Sequence, residues 1–151
     1  MSNISTVYNA IVAKLGEIYP NKARIFNPYE LKDNVSLLLK DAWGLKVNEA
    51  TREDLDFCKL AISRSFTLVL SKGLATTSNN ESAFDPVSTA ILEDQQLFLN
   101  AFWSPSELGI DGIINRIEFS NIGGVDFIVS DEKKFLFSEI EFTILTSESV
   151  N

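Results

Sequence analysis

The chain has 151 residues, a length that suits one domain and lets about 70 % of the unfolded surface be buried on folding. Hydrophobic residues make up 45 % and charged residues 23 %, with Phe at 11 positions, the composition of a packed globular protein and not of a disordered one. One cysteine, no histidine and a net charge of −8 exclude an internal disulfide, zinc sites of the usual Cys/His types, a Ser-His-Asp triad, and a main role in gripping nucleic-acid phosphates.

The first predicted element is an amphipathic helix from Ser5 to Tyr19, with Val7, Tyr8, Ile11, Leu15 and Ile18 at helical spacing, Ser5 as its cap and Pro20 as its stop. Asn27-Pro28-Tyr29-Glu30 reads as a turn, and Asp33-Asn34 caps a short helix over Val35 to Leu39. Trp43-Gly44-Leu45-Lys46-Val47 starts a strand, and Asn48-Glu49-Ala50-Thr51 is expected to turn. Then comes the strongest pattern in the chain: Cys58, Leu60, Ile62, Phe66, Leu68 and Leu70 on one face, Lys59, Ser63, Ser65, Thr67 and Ser71 on the other. Arg64 interrupts the apolar face. An unpaired buried cation is costly, so Arg64 is expected at a sheet margin or beside a carboxylate.

Residues 73–85 are small, polar and aperiodic, as in an exposed flexible loop. Asp85-Pro86 opens a second helix whose face is Val87, Ala90, Ile91, Phe98, Ala101 and Phe102, ended by Ser104-Pro105. Three strands follow. Ile113, Ile117 and Phe119 alternate with polar residues; Asn121-Ile122-Gly123-Gly124 is expected to supply a positive-φ turn; Val125, Phe127 and Val129 continue the alternation, and residues 130–134 turn again. The last strand sets Leu136, Ile140, Phe142 and Ile144 against Glu139, Glu141 and Thr143, before a polar tail from Thr146. The order predicts one domain over residues 1–151, an α+β two-layer sandwich of a mainly antiparallel sheet with two main helices packed on one face.

Most chemistry-bearing groups have a plain structural reading. Cys58 sits on an apolar face with no histidine to activate it and is expected in the core. Glu93-Asp94 and Asp131-Glu132 are sequence-adjacent carboxylates, and Glu139 and Glu141 project from one side of a strand about 7 Å apart. That spacing suits a divalent cation or an acid/base pair, but a solvated strand face is the simpler reading, and no third ligand is identifiable. Gly123-Gly124 lacks the context of a phosphate-binding loop. No catalytic residue, cofactor or metal is therefore expected. Trp43 and Trp103 flank predicted elements, where an indole either anchors an interface or packs in the core. Phe135 and Phe137 face away from Leu136, Ile140 and Phe142, so the strand is apolar on both sides near its start, which calls for a covering element or a second chain.

No run of about 18 apolar residues occurs, and Met1-Ser2-Asn3-Ile4 lacks a secretory start, so a protein made in the cytoplasm with no membrane partner is expected. Charge is unevenly spread. Residues 1–52 carry seven basic and five acidic side chains, and residues 53–151 carry six and sixteen. The asymmetry suits either a solvated acidic surface or subunits meeting through unlike faces.

The opening helix, Asn27-Pro28-Tyr29-Glu30 with Asp33-Asn34, Ala42-Trp43-Gly44-Leu45, the strand Arg64-Ser65-Phe66-Thr67-Leu68-Val69-Leu70, the helix from Pro86 and the closing Phe137-Ser138-Glu139-Ile140-Glu141-Phe142 together resemble the small tail-terminator, or tail-completion, proteins of long-tailed phages. The resemblance covers most of the chain and rests on diffuse patterns. It implies an α+β sandwich that forms a hexameric ring on the head-proximal end of the tail tube in the virion. The ring would stop tube polymerisation and dock the neck or head-completion protein, with DNA passing through its lumen without specific binding. On that reading the 73–85 loop, with Phe84, is a docking element, and Phe135 and Phe137 form a subunit contact. Glu139 and Glu141 face the lumen or a basic neighbour, and Trp43 and Trp103 are further interface residues. Another neck or head-completion protein, or a carboxylate-dependent enzyme or ligand-binding domain, are the alternative readings.

Overall fold

The computed structural model describes residues 3–25, 41–54, 59–73, 84–103, 114–130 and 133–149. The expected turn at 27–30, the short helix at 35–39, Cys58, the loop residues 74–83, the helix stop at Ser104-Pro105 and the pair Asp131-Glu132 lie outside them.

Helix α1 (Asn3–Ile18) buries Val7, Ile11 and Leu15, one residue per turn. It begins two residues before Ser5, so Ser5 lies in its first turn and is not the cap. The Tyr19 amide donates to the Leu15 carbonyl at 3.0 Å, and Pro20, which has no N–H, ends the ladder. Helix α2 (Phe84–Ala101) likewise starts just before the expected cap at Asp85 and buries Ile91, Gln95 and Phe98, with Phe102 completing the face.

Among the described residues six strands form one sheet: β1 (Ala23–Ile25), β2 (Ala42–Asp54), β3 (Lys59–Gly73), β4 (Ile114–Ile122), β5 (Asp126–Ser130) and β6 (Lys133–Ser149). The spatial order is β1-β2-β3-β6, with β4 and β5 both on the far edge of β6; only β1 and β2 pair in parallel. Register Phe66↔Phe142, Leu68↔Ile140 and Leu45↔Leu68 brings the apolar residues of three strands onto one face. Both helices pack there, giving the two-layer α+β sandwich. At its centre the Phe142 ring lies 5.4 Å from Phe66 and 5.1 Å from Phe98, and Phe98 stacks on Phe102 at 4.5 Å.

Four local expectations change. Asn48 to Thr51 does not turn: β2 runs on to Asp54, and a register shift between Val47 and Ala50 absorbs the polar stretch as a bulge. The expected hairpin at Gly123-Gly124 is instead an interruption in one continuous edge, because β4 and β5 run in the same direction along β6 and the Gly123 amide donates to the Glu139 carbonyl at 2.8 Å. Neither glycine has a positive φ. Gly123 is needed for close approach, since a Cβ there would stand 2.5 Å from the Glu139 carbonyl oxygen. The polar tail expected from Thr146 continues as strand to Ser149, paired with Lys59, because β3 reaches far enough to supply a partner; the Thr146 hydroxyl donates to the Ile62 carbonyl at 3.4 Å. Arg64 does not lie at a sheet margin: it is half-buried in the interior strand β3, paired with Ala50 of β2 on one side and Ile144 of β6 on the other, and its Nε is buried with no hydrogen-bond partner among the described residues.

Candidate interaction surfaces

Alternation along β6 sends Phe137, Glu139 and Glu141 to the face away from α1 and α2, opposite Ser71, Val69 and Thr67 of β3. Burial on this outer face is graded. Ser71, Val69 and Thr67 are buried, Phe137, Glu139, Ser65 and Thr143 are half-buried, and Glu141 is exposed. Asn48, carried to the same face by the β2 bulge, donates from Nδ2 to Thr67 Oγ1 at 2.7 Å, which satisfies the buried hydroxyl. Glu139 and Glu141 therefore share a face as their spacing requires. Three of the expected interface residues, Phe137, Glu139 and Glu141, are brought together here; Phe135 lies in β6 and Phe84 opens α2, and the environment of their side chains is outside what the structure describes.

The two tryptophans divide. Trp43 is 3 % exposed, lies on the helix-covered face opposite Leu70, and carries the Arg24 guanidinium 5.4 Å from its ring. It belongs to the core and not to an exposed surface, packed in the cluster that holds Leu45, Leu68 and Leu70. Trp103 is 78 % exposed just past the end of α2. Leu92 and Leu99 recur at helical spacing on α2, beside the buried face; Leu92 is exposed and Leu99 half-buried. Ile122, at the end of β4, is exposed as well.

On the opposite side of the molecule a solvent-open groove of about 320 Å³ is lined by Ser5, Tyr8 and Asn9 of α1, Val47 of β2 and Phe66 of β3. Val47 points to the helix face, across from Phe66, yet is 54 % exposed. Arg24 donates to the Tyr8 hydroxyl at 3.2 Å and fixes that wall of the groove.

Two buried polar clusters hold the layers in place. The Gln95 amide donates from Nε2 to the Gly123 carbonyl at 2.8 Å and to Ser138 Oγ, and the Ser138 hydroxyl donates to the same carbonyl at 3.2 Å. This node satisfies the backbone where β4 gives way to β5. One residue earlier in α2, the Tyr19 hydroxyl donates to the Asp94 carbonyl oxygen at 2.5 Å, and Lys22 Nζ pairs with Asp94 Oδ2 at 2.9 Å. Burial first, and the Asp94 carboxylate second, push the Tyr19 hydroxyl far above its ordinary pKa of 10.0, so it acts as a donor throughout the physiological range. Glu93 and Asp94 form no carboxylate pair: Glu93 is exposed and Asp94 is committed to Lys22. Among the described residues no three carboxylates or thiols gather.

The exposure of Leu92 was readable from spacing, since it falls outside the helix face made by Val87, Ala90, Ile91 and Phe98. The groove was not, because its lining comes from three elements whose alignment only the fold fixes. Compared with models of known protein families the chain matches none, and no curated protein sequence matches it.

Proposed function

We propose that this chain is a structural assembly protein of the tail-terminator kind, a ring subunit that caps the head-proximal end of a phage tail tube and offers a docking surface to the neck. The observation that carries the reading is the split character of the sheet: helices cover one face, while the other sets half-buried Phe137 beside Glu139 and Glu141, an apolar and acidic surface suited to contact with another chain. The resemblance along most of the sequence and the two-layer fold it implies both support it. The partners would be further copies of the chain, the tube subunit and the neck or head-completion protein, with DNA passing through.

Electron microscopy of lysates from a phage lacking this gene tests the reading, with every free tail or tube measured for length. Overlong tubes beside filled, tailless heads are the expected result. Unjoined heads and tails of normal length would instead place the protein in the neck, and intact particles of normal length would remove both assembly readings and favour chemistry at Glu139 and Glu141.

A further inference from the structure

Hydrogen-bond donors without acceptors gather at the groove between α1 and the sheet. Phe66 of β3 and Val47 of β2 give the groove an apolar side, and Ser5, Tyr8 and Asn9 of α1 a polar one. The Tyr8 oxygen accepts from Arg24 at 3.2 Å, so its own proton is left to donate, and no described residue receives it. The side-chain amide of exposed Asn9 is likewise unpartnered among the described residues.

Arg64 precedes Phe66 by two positions on the same face of β3, about 7 Å along the strand, and stands opposite Ala50, across the bulge from Val47. Its Nε is buried and has no hydrogen-bond partner among the described residues. A charged donor shut off from both water and an acceptor is costly, and its presence in a folded chain calls for an acceptor that arrives from outside. A carboxylate meets the need, because a guanidinium holds it through parallel N–H donors. No acidic side chain lines the groove among the described residues; Glu49, in the bulge between Val47 and Ala50, is exposed and outside the lining.

We propose that the groove binds a small carboxylate with an apolar body about one ring in size, the carboxylate taken by Arg64 and the Tyr8 hydroxyl, the body lying against Phe66, Val47 and Tyr8. An apolar lining with a few convergent donors is the make-up of a small-molecule site, and about 320 Å³ is at the low end of such sites, which suits a compact ligand and not a nucleotide. Arg24 is committed to Tyr8 and to the Trp43 ring, so Arg64 is the guanidinium left for the ligand. One guanidinium beside neutral donors, in a chain of net charge −8, favours a monoanion over a phosphate dianion. The site is separate from the assembly reading, since the groove lies on the helix-covered face, away from Phe137, Glu139 and Glu141.

The test titrates the full, nitrogen-15-labelled chain with phenylpropanoate and follows it by NMR. Saturable shifts are expected at the backbone amides of Tyr8, Asn9, Val47 and Phe66 and at the Arg64 Nε–H signal, with the uncharged phenylpropanamide binding at least about tenfold more weakly. Arg64→Gln is expected to lower affinity for the carboxylate at least about tenfold and to leave that for the amide unchanged. Tyr8→Phe, which deletes the uncommitted O–H, should weaken the carboxylate about fivefold. Val47→Asp, at a position 54 % exposed, sets a like charge at the rim and is expected to weaken binding at least about tenfold while circular dichroism stays native; it carries the test should Arg64→Gln fail to fold. No saturable shift, shifts confined to other parts of the chain, equal affinity for acid and amide, or full binding by Arg64→Gln or Val47→Asp overturns the proposal.

Discussion

Phe142 and Glu141 are neighbours on β6 and face opposite ways. Phe142 is wholly buried among the rings of Phe66, Phe98 and Phe102, under α2, whereas Glu141 is exposed on the face that neither helix covers. The same parity runs across β3, where Phe66 and Leu68 are core and Ser65 and Thr67 look outward. Alternate residues of these strands thus meet different environments: the helix-side set lies in the core, and the outer set grades from buried Thr67 and Ser71 to exposed Glu141. Substitutions should sort by parity and not by position along the chain.

Phe142→Ala is the hardest test of that division. Removing a fully buried ring that touches three others should cost about 3–5 kcal/mol and lower Tm by about 10 °C or more, read by thermal unfolding. A loss under about 1 kcal/mol would mean that the helix layer does not pack on the sheet as described.

The second test concerns adjacent glycines on the edge of β6. At Gly123 an added Cβ meets the Glu139 backbone oxygen at 2.5 Å, which cannot move without breaking the Gly123–Glu139 hydrogen bond; at Gly124 nothing lies within 4 Å. Gly123→Ala is expected to destabilise by about 1–3 kcal/mol. Gly124→Ala should be neutral or stabilise by about 0.5 kcal/mol, through the reduced freedom of the unfolded chain. Urea unfolding of the two variants side by side distinguishes a close-approach glycine from a turn glycine, since a hairpin turn would penalise both.

That pair also shows where sequence reasoning stops. The periodicity of Phe66, Leu68 and Leu70, and of Leu136, Ile140 and Phe142, is a local property, so both core strands and both helix faces could be read from spacing alone. Gly-Gly after Asn121 carries the local signature of a turn, but the outcome depends on β6, a strand later in the chain that offers a partner along its whole length and keeps β4 and β5 in line. The same holds for Asn48 to Thr51, polar enough to turn yet held extended by pairing with β3. Trp43 read ambiguously because an aromatic residue beside a glycine looks alike at an interface and in a core; its packing in the core cluster decides the matter. Of the candidate surfaces, Phe137, Glu139 and Glu141 were legible from alternation, whereas the groove is lined by residues of α1, β2 and β3 whose juxtaposition no local pattern encodes.

The buried Tyr19 gives a pH-dependent comparison with the outer face. Its folded pKa lies above the ordinary 10.0, so the folded chain holds this proton where the unfolded chain has begun to lose it. Its contribution is therefore complete below pH about 10 and is lost as pH rises beyond that. Tyr19→Phe should cost about 1 kcal/mol at pH 7, for the hydrogen bond to the Asp94 carbonyl, and should flatten the fall in stability above pH about 10. Chemical unfolding of both proteins from pH 7 to 11 checks it; parallel curves over the whole range would show that Tyr19 titrates freely.

The smallest expected effect lies at Glu141. Its carboxylate is exposed beside buried Thr67, whose hydroxyl is already satisfied by Asn48, so Glu141→Gln removes charge without opening a cavity or orphaning a buried group. Unfolding free energy should stay within about 0.5 kcal/mol of the wild type. Set against Phe142→Ala one residue away, this is the sharpest form of the parity argument: the ratio between the two losses measures how completely the helix layer, and not the outer face, carries the stability of the sheet. A loss at Glu141 above about 1 kcal/mol would make the outer face part of the folding core, and its glutamates would then be structural in the single chain before they could serve a partner.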